Sequence, residues 1–166
     1  MRAILMIAAV ATLAACSEKP KENSQRDEIG QVWKYEGGEG GEGGKAKVAY
    51  IGSANSVATM TAPDTFSVLL VQPLAEGTAD VTVKLVGAPF TCDLSDCSVT
   101  ATTDDGKRHA WKGRVTDAKD GITIAPSQGA YKVIKGAKSV KIDLVVGPKD
   151  ATAPFDFNVA GLDLKG

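Results

Sequence analysis

The chain has 166 residues, 19 basic and 20 acidic side chains and a formal net charge of −1. That length suits one domain with a real core. The balanced charge points away from a nucleic-acid partner and from a surface that coats a polyanion.

The first stretch, "MRAILMIAAVATLAAC", has one positive residue, Arg2, and then a predominantly apolar run over residues 3–15. The run is shorter than the roughly 20 residues a transmembrane helix needs. It reads as a signal peptide over residues 1–15. Its end, Leu13-Ala14-Ala15-Cys16, resembles the lipobox of bacterial lipoproteins. There, small residues fit the signal peptidase and the cysteine sulfur takes a diacylglyceryl group before cleavage. By that resemblance Cys16 is the lipidation site. Ser17, in place of an aspartate, resembles the outer-membrane sorting pattern of Gram-negative lipoproteins. The expected location is therefore the periplasmic face of the outer membrane, with the membrane itself a partner through Cys16. Several acyl chains are implied, because one chain binds only marginally at about 0.8 kcal/mol per buried CH2.

Loss of residues 1–15 removes Arg2 and no acid, so the formal charge moves from −1 to −2. The next stretch, "SEKPKENSQRDEIGQ", is polar, mixed in charge and without apolar periodicity. With Cys16 it is expected to form a lipidated, flexible tether over residues 16–31. As a coil it would span about 20 Å root-mean-square, and at most about 50 Å stretched. A single domain is expected over residues 32–166, beginning where Trp33 and Tyr35 supply the first large apolar side chains. Then "EGGEGGEGG" intervenes, and Gly38-x-Gly40-x-x-Gly43 formally matches a dinucleotide fingerprint. A true fingerprint follows a strand, opens a helix and offers bare amides to phosphate, which Glu39 and Glu42 would repel. A hairpin loop is the simpler reading, with weak calcium binding by the glutamates the alternative.

From Lys47 onward the dominant signal has period two. Val81, Val83 and Leu85 alternate with polar residues, as do Val99 and Ala101, then Val140, Ile142, Leu144 and Val146, then Phe155, Phe157 and Val159. Each set predicts a strand with one wet face. Residues 65–72, "TFSVLLVQ", are apolar on both faces and predict a strand placed centrally in a sheet. Turn residues cluster at 62–64, 75–78, 104–106, 118–121 and 147–150. About nine short strands so spaced predict a mainly β protein, an antiparallel β-sandwich or open barrel. In "GAYKVIKGAK", Tyr131, Ile134 and Ala137 fit one short helix, whereas Tyr131 and Val133 fit a strand.

Between two such strands, "PFTCDLSDCSVT" carries Cys92 and Cys97. With Cys16 committed to lipid they are an even pair in an oxidising compartment, where disulfides persist. Zinc needs about four ligands, yet the chain has one histidine, His109, and no further cysteine. A redox dithiol more often reads C-x-x-C. The pair is expected to be a structural disulfide, and no metal or other cofactor is expected.

The order "WKYEGGEGG", "IGSANSV", "VTVKLVGAPFTCDLSDCSVTATTDDG" and "FDFNVAGL" resembles a widespread group of small exported proteobacterial proteins and lipoproteins of uncharacterised function. The resemblance spans residues 31–162. It is carried most specifically by Phe90-x-Cys92-x4-Cys97-x-Val99 followed by Asp104, with Trp33, Asn55 and Gly161-Leu162 in support. The chain departs from the pattern after Pro63 and at Leu164, where aromatics are common. The resemblance implies a mainly antiparallel β fold with a short helix near residues 131–138, and no activity.

Catalytic chemistry finds little support. His109 has no G-x-S-x-G partner and reads as a solvent-facing or half-buried strand histidine. Asp93 and Asp96 lie at one end of a strand and Asp104 and Asp105 at the other, roughly 20 Å apart at 3.3 Å per residue, too far for a glycosidase pair. Both pairs read as turn formers bonding the local backbone. In "KRHAWKGR" a strand places Arg108, Lys112 and Arg114 on one face and Trp111 on the other. These three cations are candidate contacts for an anionic partner such as lipid headgroups, an acidic glycan or an envelope protein. The plainer reading is that they protect an edge strand. The expectation is a non-enzymatic, lipid-anchored binding or structural module of the envelope. The alternative is an envelope inhibitor of a lytic enzyme or protease that uses the loop at residues 36–45.

Overall fold

The alternating stretches become strands because each buries one row of β-branched or aromatic side chains and leaves the other row wet. In the computed structural model, which describes residues 24–37, 47–74, 77–93, 95–116 and 121–164, these strands are β1 (Lys34–Gly37), β2 (Lys47–Gly52), β3 (Phe66–Pro73), β4 (Ala79–Val86) and β5 (Cys97–Thr103). They continue as β6 (Arg108–Val115), β7 (Gly121–Ala125), β8 (Val140–Val145) and β9 (Thr152–Phe157). The signal peptide, Cys16, residues 17–23 of the tether and most of the glycine-glutamate loop lie outside the described residues.

Among the described residues the nine strands form one antiparallel sheet in the order β1-β2-β3-β4-β7-β6-β5-β8-β9. The described strands are therefore one curled, open sheet, in keeping with the open-barrel form of the expectation, rather than a sandwich of two. Its inward face carries Ile51, Leu69, Val83, Ile122, Ile142 and Phe155, all fully buried. Twisted strands carrying one apolar face coil around it. Here the coil brings β9 back beside the chain that leaves β2, without closing into a barrel.

Side chains lace that seam. Ala54 N–H donates to Asp156 O at 2.7 Å. Asn55 then acts as a piece of strand: its Oδ1 accepts from Asp156 N–H at 2.8 Å and its Nδ2 donates to Pro154 O at 2.9 Å. Trp33 Nε1 donates to Val159 O at 3.0 Å, and Asp163 N–H donates to the Tyr35 hydroxyl at 3.0 Å. Pro154 has no N–H to leave unpaired, which suits the edge position of β9.

Helix α2 (Ser127–Gly136) buries Ala130, Tyr131 and Ile134 and packs against β4 and β7. The helical reading of this segment holds, but the helix starts four residues before Tyr131. Pro126 O accepts from the amides of Gly129 and Ala130 and so closes the first turn, whose first three residues, Ser127 to Gly129, carry no apolar side chain to announce it. The anticipated turns at 62–64, 104–106 and 147–150 fall between strands, the last as a 3-10 turn over Pro148–Asp150; those at 75–78 and 118–121 lie partly outside the described residues, and Gly121 already opens β7. The β3 strand is interior, between β2 and β4, and buried on both faces over its first four residues.

The tether expected over residues 16–31 does not stay a coil to its end. Residues Ser24–Ile29 form a short helix, α1. Arg26 Nη2 donates to Ala54 O at 2.6 Å, and Gly52 N–H donates to Gly30 O at 2.9 Å. A Cβ on Gly52 would lie 2.8 Å from Gly30 O, so only glycine lets the segment approach this closely. The polar composition concealed this docking because backbone carbonyls and one guanidinium make it, without an apolar stripe.

Candidate partner-binding face

Strand β6 turns His109, Trp111 and Gly113 inward and Arg108, Ala110, Lys112 and Arg114 outward. Trp111 is 8% exposed and belongs to the core, with His109 half-buried and stacked on it at 5.8 Å between ring centroids. Gly113 is required beneath: an added Cβ would lie 2.0 Å from Ile122 Cγ2. Tight inward packing thus fixes the direction of the outward row.

Arg108, Lys112 and Arg114 are all exposed, as the alternation predicts. The strand is not an edge, however. It pairs with β5 along Cys97 to Thr102 and with β7 through Lys112 to Val115, deep in the sheet order. The edge-protection reading therefore fails for Lys112 and Arg114, whereas Arg108 lies in the half of β6 that pairs with β5 alone. The actual edges are β1 and β9, covered by the seam contacts.

Across the outer face, Arg108 lies opposite Thr102 on β5, and Thr102 opposite Lys141 on β8. Lys112 lies opposite Ser98 and Ala125, and Arg114 opposite Thr123. The cations thus stand among small hydroxyl residues that do not overshadow them. Acids gather toward β8 and β9, where Asp143 faces Thr100 and Asp156 faces Lys141. Arg108 and Arg114 are six residues apart, about 20 Å along the strand. Their guanidinium forks can each donate two parallel hydrogen bonds to a carboxylate or phosphate. Among the described residues neither arginine is held in an ion pair. Lys112 does have a partner, Asp96 at 3.0 Å, in a solvent-exposed pair of the kind worth little.

The disulfide positions that partner. Cys92 and Cys97 are bonded, with Cα atoms 5.4 Å apart. Cys97 is buried opposite Gly113, so the loop it closes presents Asp96 beside Lys112. Serine at both positions should leave the fold intact and lower stability by about 2 kcal/mol, read by urea unfolding. A thiol assay on untreated protein should find neither cysteine free.

The remaining carboxylates act on the backbone. Asp93 accepts from Ser95 Oγ and Ser95 N–H, which hold its carboxyl below the ordinary range. Asp105 is lowered further by Lys107 Nζ at 2.7 Å, by Thr103 Oγ1 and by the Lys107 amide. Asp104 departs from the local-turn reading. It accepts from Lys138 N–H at 2.9 Å and Ser139 N–H at 3.5 Å, bonds that lower it and tie the β5–β6 turn to the segment after α2. A shallow cleft of about 270 Å³ between that turn and α2 is lined by His109, Asp104, Asp105 and Lys132. Its aspartates are already occupied by these donors. Among the described residues no group of three histidine, cysteine or acidic side chains is placed to hold a metal ion.

No family model matches this chain, and no curated protein or solved structure is similar to it.

Proposed function

We propose that the chain is a lipid-anchored module of the cell envelope, held at the periplasmic face of the outer membrane through Cys16, that acts by binding or structural association. The observation that carries this reading is the outward row of Arg108, Lys112 and Arg114, of which Lys112 and Arg114 lie where β7 covers the second side of the strand, so that edge protection gives no reason for them. The partner it suits is an anionic envelope component or the acidic surface of an envelope protein. Support for the location comes from Leu13-Ala14-Ala15-Cys16 and from the resemblance of residues 31–162 to exported lipoproteins. Support for a non-catalytic role comes from Asp93 and Asp104, which are spent on backbone amides, and from His109, which stacks on Trp111. The inhibitor alternative relies on the loop at residues 36–45, and no described geometry favours it.

Cys16→Ala should release the protein from the outer membrane while the domain stays folded, because the strands and α2 supply its buried core. Fractionation after a salt wash reads this. A variant that stays with the outer membrane would show that Cys16 is not the anchor.

A further inference from the structure

The loop between β2 and β3 is a second, smaller hairpin. Val57 and Thr65 exchange backbone bonds at 2.8 and 2.9 Å. Its tip is pinned where Thr59 N–H donates to Ala62 O at 2.8 Å and Ala62 N–H donates to Thr59 Oγ1 at 3.2 Å. At that tip Met60 is 77% exposed, the most exposed large apolar side chain among the described residues. Residues 57–63, "VATMTAP", contain no charge. A single exposed apolar residue needs no explanation. An uncharged tip presenting a methionine outward, with the one acid of the hairpin, Asp64, at its base, is different: the hydrated interface can solvate the remaining amides of the tip while the methionine meets the acyl boundary.

The hairpin's neighbour decides what it meets. Arg26 of α1 bonds Ala54 O and reaches Ser56 Oγ, so α1 is fastened to the chain just before the hairpin. Val32, 67% exposed, follows α1 at the same end of the sheet. Seven residues, 17–23, separate Cys16 from α1, and fully extended they reach about 25 Å. Docking of α1 therefore halves the reach of the tether and commits this end of the sheet to the neighbourhood of the anchor. Glu36 stands at the opposite end of β1, while Asp27 and Glu28 of α1 and Asp64 lie at the end of the hairpin and stay in the headgroup water.

We infer that the Met60 hairpin, with Val32, rests in the interface of the bilayer that holds Cys16 and sets the domain's orientation on it. The inference rests on the lipid-anchor reading.

The test uses the acylated full chain in vesicles of phosphatidylethanolamine and phosphatidylglycerol with brominated acyl chains. Tryptophan replaces Met60 in one variant and Leu74, exposed just beyond the far end of β3, in another; Trp33 and Trp111 contribute equally to both. Emission from Met60→Trp should be quenched about twofold more than from Leu74→Trp, since interfacial side chains sit within about 10 Å of the acyl boundary. Equal quenching in vesicles that float with the protein overturns the orientation and leaves the anchor standing. Protein that fails to float overturns both.

Discussion

Asn55→Ala should lower the stability of the domain by about 2 to 3 kcal/mol, a large effect for one half-exposed side chain in a loop. The substitution removes both partners that the Asn55 amide supplies to β9: the acceptor for Asp156 N–H and the donor to Pro154 O. Each backbone group stranded in this way costs about 1 to 3 kcal/mol, toward the low end where water has partial access. No ladder of backbone bonds stands behind them, because the sheet does not close between β9 and its first strands. Urea unfolding reads the total, and hydrogen exchange locates it. The Asp156 amide should exchange at least about tenfold faster while amides of β5 and β6 keep their protection. A loss under about 0.5 kcal/mol with unchanged exchange at Asp156 would mean that the seam is held by something other than Asn55.

That seam also marks where the sequence stops being legible. Strands such as β4, β5, β8 and β9 announce themselves by alternation, since burial of one face forces period two on any such strand. The exposed row of β6 followed from the same rule, and Cys92 and Cys97 from compartment and count. The position of β6 within the sheet did not, because strand order depends on which strands pair, and alternation carries no record of partners. An edge strand and an interior strand with one wet face read alike. Asn55 was visible only as part of a resemblance, since a side chain that stands in for a strand leaves no periodic trace. Asp104 read as a turn residue and also reaches Lys138 and Ser139, more than thirty positions away. The docking of α1 was hidden because Arg26 and the carbonyls of Gly30 and Ala54 make it, and polar residues of that kind look the same in a free tether.

Reversal of Arg108, Lys112 and Arg114 to glutamate should abolish recovery of the envelope partner. The three side chains point outward from a strand paired with β5 along most of its length and with β7 from Lys112 on, so the change replaces a cationic row with an anionic one and leaves the packing beneath untouched. Each exposed substitution should move stability by less than about 0.5 kcal/mol. Lys112→Glu also sets a like charge against Asp96, a cost that stays small because both groups are in water. Since β6 is interior, aggregation of the variant is not expected, and soluble protein should be obtained for the comparison. Loss of attraction should appear mainly as slower association and a lost response to salt.

In situ crosslinking of outer membranes is the measurement that tests the binding reading most directly, with wild type and the triple-glutamate variant both retaining Cys16. The account predicts that wild type captures a partner at physiological ionic strength. Capture should fall away toward 1 M salt, where screening shortens from about 8 Å to about 3 Å. The variant should capture none at either ionic strength while remaining folded and membrane-bound. Equal capture of the same partner by the folded variant would contradict the assignment of this face.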